Sequence, residues 1–179
     1  VNRICIVPNV SGVGWMVSFR DKFSVGLEAR GLEVSQNLSL AQPPDSILVI
    51  GGTRDLAGLW RARRRGVRIV QRLNGMNWLH RNLQTGLRHY IRAEYGNLIL
   101  RLIRSRLADH IVYQSEFARR WWQRAHGKAP VPSSVVFNGV DLSVFSPLQT
   151  DSQAPQTPSD CFRILMVEGS LMGGYELGL

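Results

Sequence analysis

The stretch Ile4-Cys5-Ile6-Val7-Pro8, followed by Asn9-Val10-Ser11-Gly12-Val13-Gly14 and then by Phe19, Phe23 and Leu27, decides the fold. A short apolar run bounded by turn residues reads as a buried strand, and apolar residues four apart read as one face of a helix. The spacing predicts a helix over residues 15–30. Gly31 closes it, since glycine readily takes the left-handed conformation found just past helix ends. Residues 32–35 then resume a strand, which completes a β-α-β unit of the kind that builds parallel sheets.

Apolar runs at 46–50, 67–73, 110–113 and 135–137 repeat the strand signal, with helical segments between them. Residues 55–65 predict a second helix, with Leu56, Leu59 and Trp60 on one face. Arg61, Arg63, Arg64 and Arg65 stand near its end, where cations meet the negative pole of the helix dipole. A longer helix is expected over 83–107. Its predicted buried stripe is Leu87, Ile91, Tyr95, Leu98 and Leu102, with Arg88, Arg92, Arg101, Arg104 and Arg106 mostly outside. Ser115 is placed to cap a helix over 116–126, whose adjacent Trp121 and Trp122 cannot share one face. The fold class is therefore α/β: a Rossmann-like, doubly wound, mostly parallel sheet.

At 179 residues and 44% hydrophobic content the chain can hold one domain with a real core, but not two full ones. From residue 148 to 160 the composition turns to Pro, Gln, Ser, Thr and Asp, a linker signal. A fresh strand at 162–167 leads into Gly169, Gly173 and Gly174. The expected organisation is a domain over 1–147, a linker over 148–160 and the truncated start of a second domain over 161–179. Cys5 and Cys161 each sit in an apolar run and read as small buried hydrophobes. Arg101 and Arg104 interrupt the most apolar stretch, so a membrane span is not expected. The N-terminal residues lack the apolar core of a secretion signal, which points to a cytoplasmic location.

The formal net charge is +9, and Lys22 and Lys128 are the only lysines among 22 basic residues. Anionic phosphates are the natural counterpart of so much arginine, and a plain solvated surface is the structural alternative. An arginine-rich amphipathic helix is also suited to lying on an anionic membrane.

Three loops carry candidate chemistry. Gly12, Val13 and Gly14 follow the first strand, where small residues let backbone approach a phosphate. As a dinucleotide fingerprint the loop fails at Val17, although Glu33 stands near the second strand where a ribose-binding acid is expected. Asn74-Gly75 ends the fourth strand, permits positive φ, and places Trp78 beside amide groups, a common way to hold a sugar. The structural alternative is a tight turn with Trp78 in the core. The last loop is Asn138-Gly139-Val140-Asp141, with Phe145 and Pro147 after it. His80, His89, His110 and His126 show no metal-ligand spacing, and no nucleophile elbow occurs. Chemistry is thus expected to run by positioning and electrostatic stabilisation.

Taken in order, these pieces resemble the N-terminal half of a GT-B glycosyltransferase of the group 1 (family 4) type. Gly12 and Gly14 are similar to its early glycine loop. Ala108-Asp109-His110-Ile111-Val112-Tyr113-Gln114-Ser115 is similar to its A-D-x-V-x-x-x-S strand, and Asn138 to Asp141 with Phe145 and Pro147 to its late N-G-V-D, F-x-P signature. The resemblance implies two Rossmann-like domains, a nucleotide-sugar donor held mainly by the second, and a carbohydrate or lipid-linked acceptor held by the first. It also implies a hexosyl-type transfer with retention, without metal or further cofactor. Gly12, Val13, Gly14, Asn74, Gly75, Trp78, Ser115 and Asn138 are the expected substrate-binding residues, and Gly169 and Ser170 the donor diphosphate region. The chain departs from the family at Asn74, where a histidine is usual, and at Gly169-Ser170 and Gly173-Gly174, which lack the family's cations. The rival readings are a non-catalytic basic module for nucleic acid or anionic membrane, and an NAD-dependent enzyme. No nucleic-acid motif is present, so nucleic acid is not expected as a partner.

Overall fold

The computed structural model describes residues 2–12, 14–84, 86–140 and 142. The chain divides into two compact units, Val1–Gly139 and Val140–Leu179. Of the second, only Val140 and Leu142 are described, both exposed. Val13, Asp141, Phe145, Pro147, Cys161, Gly169, Ser170, Gly173, Gly174, the expected linker and the expected strand at 162–167 lie outside the described residues.

Six strands form the sheet of the first unit: β1 (Arg3–Val7), β2 (Glu33–Ser35), β3 (Ser46–Ile50), β4 (Arg68–Leu73), β5 (His110–Tyr113) and β6 (Ser133–Val135). Their order is β2-β1-β3-β4-β5-β6 and every pairing is parallel. The helices are α1 (Trp15–Glu28), α2 (Leu56–Arg64), α3 (Leu79–Asn82), α4 (Leu87–Leu102) and α5 (Glu116–His126). A π-helical turn, Ile103–Leu107, continues α4. The sheet grows from β1 towards β2 on one side and β3 on the other. Such a reversal opens a crevice at the carboxyl ends of the strands, where ligands bind in sheets of this type.

Alternation along the strands sorts the side chains by face. Cys5, Val7, Ile47, Val49 and Ile69 are buried with Leu59 and Ala62 of α2, Ile99 of α4, and Ile103 and Leu107 of the π turn. Leu73, Ile111 and Tyr113 on the same face are buried with Trp122 of α5. Ile4, Leu48, Val70 and Val112 point the other way. There they line a hollow of about 710 Å³, to which only α1 contributes among the described helices. Among the described residues, one face of the sheet is thus packed by several helices and the other by α1 alone, which leaves the hollow beside it.

Helix ends follow their sequence signals. Asp55 caps α2, its Oδ1 accepting from the Gly58 N–H at 2.7 Å. Ser115 caps α5, its Oγ accepting from the Ala118 N–H at 3.0 Å. Gly31 closes the turn after α1 with φ of 77°.

Three packing expectations are corrected. In α1 the buried residues are Arg20 and Ser24, because Phe19 and Phe23 face the hollow rather than a filled core. Trp60 is exposed, where it stacks under Arg64, whose guanidinium lies 4.9 Å from the ring centre. The largest correction concerns the predicted 83–107 helix. It breaks before Leu87, and the stripe Leu87, Ile91, Tyr95, Leu98 and Leu102 faces outward, Leu87 being 75% and Ile91 60% exposed. The buried side is Ala93, Asn97 and Ile99, joined by Ile103, Arg104 and Leu107 of the π turn. Close packing selects that side. A Cβ added to Gly52 would stand only 3.1 Å from Ile99 and Leu100, so the helix lies tight against the loop after β3. Helix α4 is apolar on both sides, and periodicity alone picked the wrong one.

The last strand is also shifted. Ser133 and Ser134 pair with Ile111 and Val112, two residues before the expected 135–137 run. Val136 keeps only an N–H bond to the Tyr113 carbonyl, at 2.9 Å, and Phe137 stands exposed at the edge of the hollow. Apolarity here reflects the open face rather than a strand interior.

Candidate functional site

The loops after β1, β4, β5 and β6 leave the same carboxyl edge of the sheet, which brings Gly12, Gly14, Asn74, Gly75, Trp78, Ser115 and Asn138 to one side of the unit. Gly12 and Gly14 have φ of 100° and 153° and no atom within 4 Å of an added Cβ. Glycine is needed there for its backbone conformation, not for space. Arg20 pins this loop from α1, donating to the Val10 carbonyl and to Asn9. Gly14 is the N-cap of α1 and supplies no side-chain acceptor, so the first N–H groups of that helix are open to an anionic group.

At the end of β4, the buried Trp122 indole N–H donates to the Asn74 carbonyl at 2.7 Å and fixes where the loop begins. Neither Gly75 nor Gly139 takes the positive φ that its sequence permits. What Gly75 provides is room, because a Cβ there would stand 2.9 Å from the Trp121 ring. Trp78 is 47% exposed and therefore not a core residue. It meets Trp121 edge-on with ring centres 6.4 Å apart, and Trp121 in turn packs against the exposed Phe117 at 5.6 Å. The three rings form an aromatic shelf at this edge, tilted to one another rather than coplanar, with the faces of Trp78 and Phe117 reaching solvent. Phe117 had no distinguishing sequence signal, since one apolar residue in a helix's first turn fits many roles.

Two clamps hold the shelf loop onto α4. Asn97 Oδ1 accepts from the Asn77 N–H at 2.9 Å, and its Nδ2 donates to the Asn77 carbonyl at 2.7 Å. Glu94 takes Arg81 in a two-point pair at 2.6 and 3.0 Å and meets Nε2 of the buried His80 at 2.8 Å. The Arg81 guanidinium first, and His80 second, hold the Glu94 carboxyl down at about 2. Because this lies below the ordinary glutamate value, the ion stabilises the folded chain at neutral pH, and the gain fades as pH falls through that range. Glu94→Gln is expected to lower stability by about 1 kcal/mol or less at pH 7, since water screens the pair's outer side. The gap to the unsubstituted chain should close between about pH 4 and pH 2 in urea titrations, and a gap independent of pH would refute the assignment.

Ser115 is engaged as the α5 cap, so its hydroxyl is committed to structure. Asn138 accepts through Oδ1 from Nη2 of Arg72, a residue whose role sequence reading missed. Arg72 is only 6% exposed, and the Phe19 ring centre lies 3.9 Å from its guanidinium carbon. Burial lowers its pKa from the usual arginine value. The signal available in the sequence was an arginine near the end of a strand.

Glu33 does not stand where a ribose-binding acid would. It opens β2 at the amino edge of the sheet and pairs with Arg3 at 3.2 Å, so it cannot serve a ribose at the carboxyl edge. Among the described residues no group of three or more His, Cys, Asp or Glu side chains is arranged to hold a metal ion, and no helix is long and apolar enough to cross a membrane.

No curated protein and no solved structure matches the chain. The sequence model of Glycosyltransferase Family 4 matches residues 26–144. That span runs from within α1 through the last strand and the loop holding Asn138. With the all-parallel sheet, the reversal at β1 and the glycine loop in place, the chain belongs to glycosyltransferase family 4.

Proposed function

We propose that this unit is the acceptor-binding half of a retaining, metal-independent glycosyltransferase that moves a hexosyl group from a nucleotide sugar to a carbohydrate or lipid-linked acceptor. The observation that carries the reading is the aromatic shelf at the carboxyl edge of the sheet, in which the exposed Trp78 and Phe117 flank the half-buried Trp121. Stacking holds a sugar ring by its apolar face, while the neighbouring amides distinguish its hydroxyls. The open start of α1 is the site for an anionic group, and Gly12 and Gly14 keep its approach clear. Retention and the nucleotide-sugar donor rest on the family resemblance.

The enzyme works at the face of an anionic membrane. The outward stripe of α4, with Arg88 and Arg92 along one flank, supports this, because an amphipathic helix with cations beside its apolar face binds such surfaces.

The test is sugar transfer by the full-length protein against a panel of nucleotide sugars. Trp78→Ala should lower kcat/KM for the acceptor at least tenfold with the fold intact. Failure to bind any nucleotide sugar would overturn the transferase reading. Flotation with anionic vesicles tests the membrane arm, where Ile91→Asp should abolish binding and neutral vesicles should not bind.

A further inference from the structure

We propose that the open face of the sheet binds an amphipathic anion, with a phosphate or carboxylate seated on Arg72 and an apolar body laid along the strands. The inference rests on the acceptor reading above and deepens it by assigning a chemical class to part of the acceptor.

Three observations meet at Arg72. Its guanidinium is nine-tenths buried, yet no carboxylate pairs with it among the described residues. Nη2 has the amide oxygen of Asn138, while Nη1 is buried without an acceptor among the described residues. A desolvated charge with an unused donor is costly, and structures retain one where a partner arrives later. A guanidinium offers paired donors that match the oxygens of carboxylates and phosphates.

The surroundings select the rest of the ligand. Arg72 lines the hollow of about 710 Å³, whose walls are mainly apolar: Leu48, Val70 and Val112 from the strands, Phe19 and Phe23 from α1. Lys22 lines the hollow too and is exposed, adding a second cation that draws an anion in. A free inorganic anion would leave the apolar walls wet, and an uncharged alkyl group would leave Arg72 unmatched. One molecule bearing both parts satisfies both.

The probes are octyl phosphate below its micelle concentration, octyl glucoside and inorganic phosphate, titrated calorimetrically into this chain. Octyl phosphate should bind at least tenfold more tightly than either of the others, and Arg72→Gln should weaken it at least tenfold. Should Arg72→Gln fold poorly, Val112→Asp gives an independent reading. Val112 lies opposite Arg72 in the register, so an aspartate there supplies the missing carboxylate and should block octyl phosphate by a similar factor. Equal affinity for octyl glucoside, equal affinity for inorganic phosphate, no loss in the variants, or no binding at all would each overturn the proposal. The outcomes separate from those of the transferase test. Sugar transfer without octyl phosphate binding removes only the anion site, and octyl phosphate binding without nucleotide-sugar binding removes only the transferase reading.

Discussion

Trp122→Ala is expected to cost about 3–5 kcal/mol of folding stability, the usual range for deleting a fully buried large aromatic side chain. The indole has no exposed surface and closes the end of the core under β4 and β5, among Leu73, Ala108, Ile111 and Tyr113. Its N–H also donates to the Asn74 carbonyl, so the substitution orphans an acceptor at the root of the shelf loop. Trp122→Phe should cost clearly less, since it keeps most of the ring volume. Urea denaturation gives both values. Amide exchange should speed up around Asn74 and Gly75 in both variants, and a loop that exchanges as before would show that the indole bond does not hold it.

Arg104→Met comes next, with an expected loss of about 2–3 kcal/mol. Arg104 is 2% exposed and, like Arg72, has no carboxylate partner among the described residues. The two arginines nevertheless differ in kind. Arg104 Nε donates to the Tyr113 hydroxyl at 3.1 Å and Nη2 to the Gly127 carbonyl at 2.6 Å, at the C-cap of α5. A cation at that position also meets the negative end of a helix. Methionine fills the stem's volume but leaves both partners unpaired, each at about 1–3 kcal/mol, while relief of the buried charge offsets part of the loss. Arg104→Lys should rescue little, because one ammonium cannot copy the guanidinium's fork. A Tm unchanged in Arg104→Met would mean that neither bond contributes.

Strands β1, β3, β4 and β5 were legible because each is a short, mainly apolar run between turn residues, and β3 and β5 fall on the expected residues, whereas β6 is Ser133-Ser134-Val135 and precedes the apolar run that signalled it. The glycine loop was legible too, as Gly12 and Gly14 do adopt conformations that favour glycine. Helix α4 misled because its sequence is apolar on two sides. Leu87, Ile91 and Tyr95 make the cleaner repeat, whereas the inward side mixes Ala93, Asn97 and Ile99 with an arginine from a π turn. Pattern reading rewards regularity, but contact with the sheet rewarded small residues and a clamp to Asn77. The site shows the same division. Trp78 and Asn138 could be found from loop chemistry, while Arg72 became visible only when register placed it against Phe19 with its donor unused.

The sheet contains no hairpin, and this governs how fast it can assemble. Every pairing is parallel, so each must wait for a crossover segment to close before its ladder can form. The β1–β3 pairing waits on the longest closure, since α1 and β2 both lie between Val7 and Ser46. Loop-closure entropy is spent before such contacts return anything, which makes topologies of this kind slow to fold. The rate-limiting event is therefore placed at the β1–β3 seam, where the Asp45 N–H donates to the Arg3 carbonyl at 2.9 Å. Substitutions at that seam slow refolding, whereas substitutions in the three-residue edge strand β2 mainly hasten unfolding.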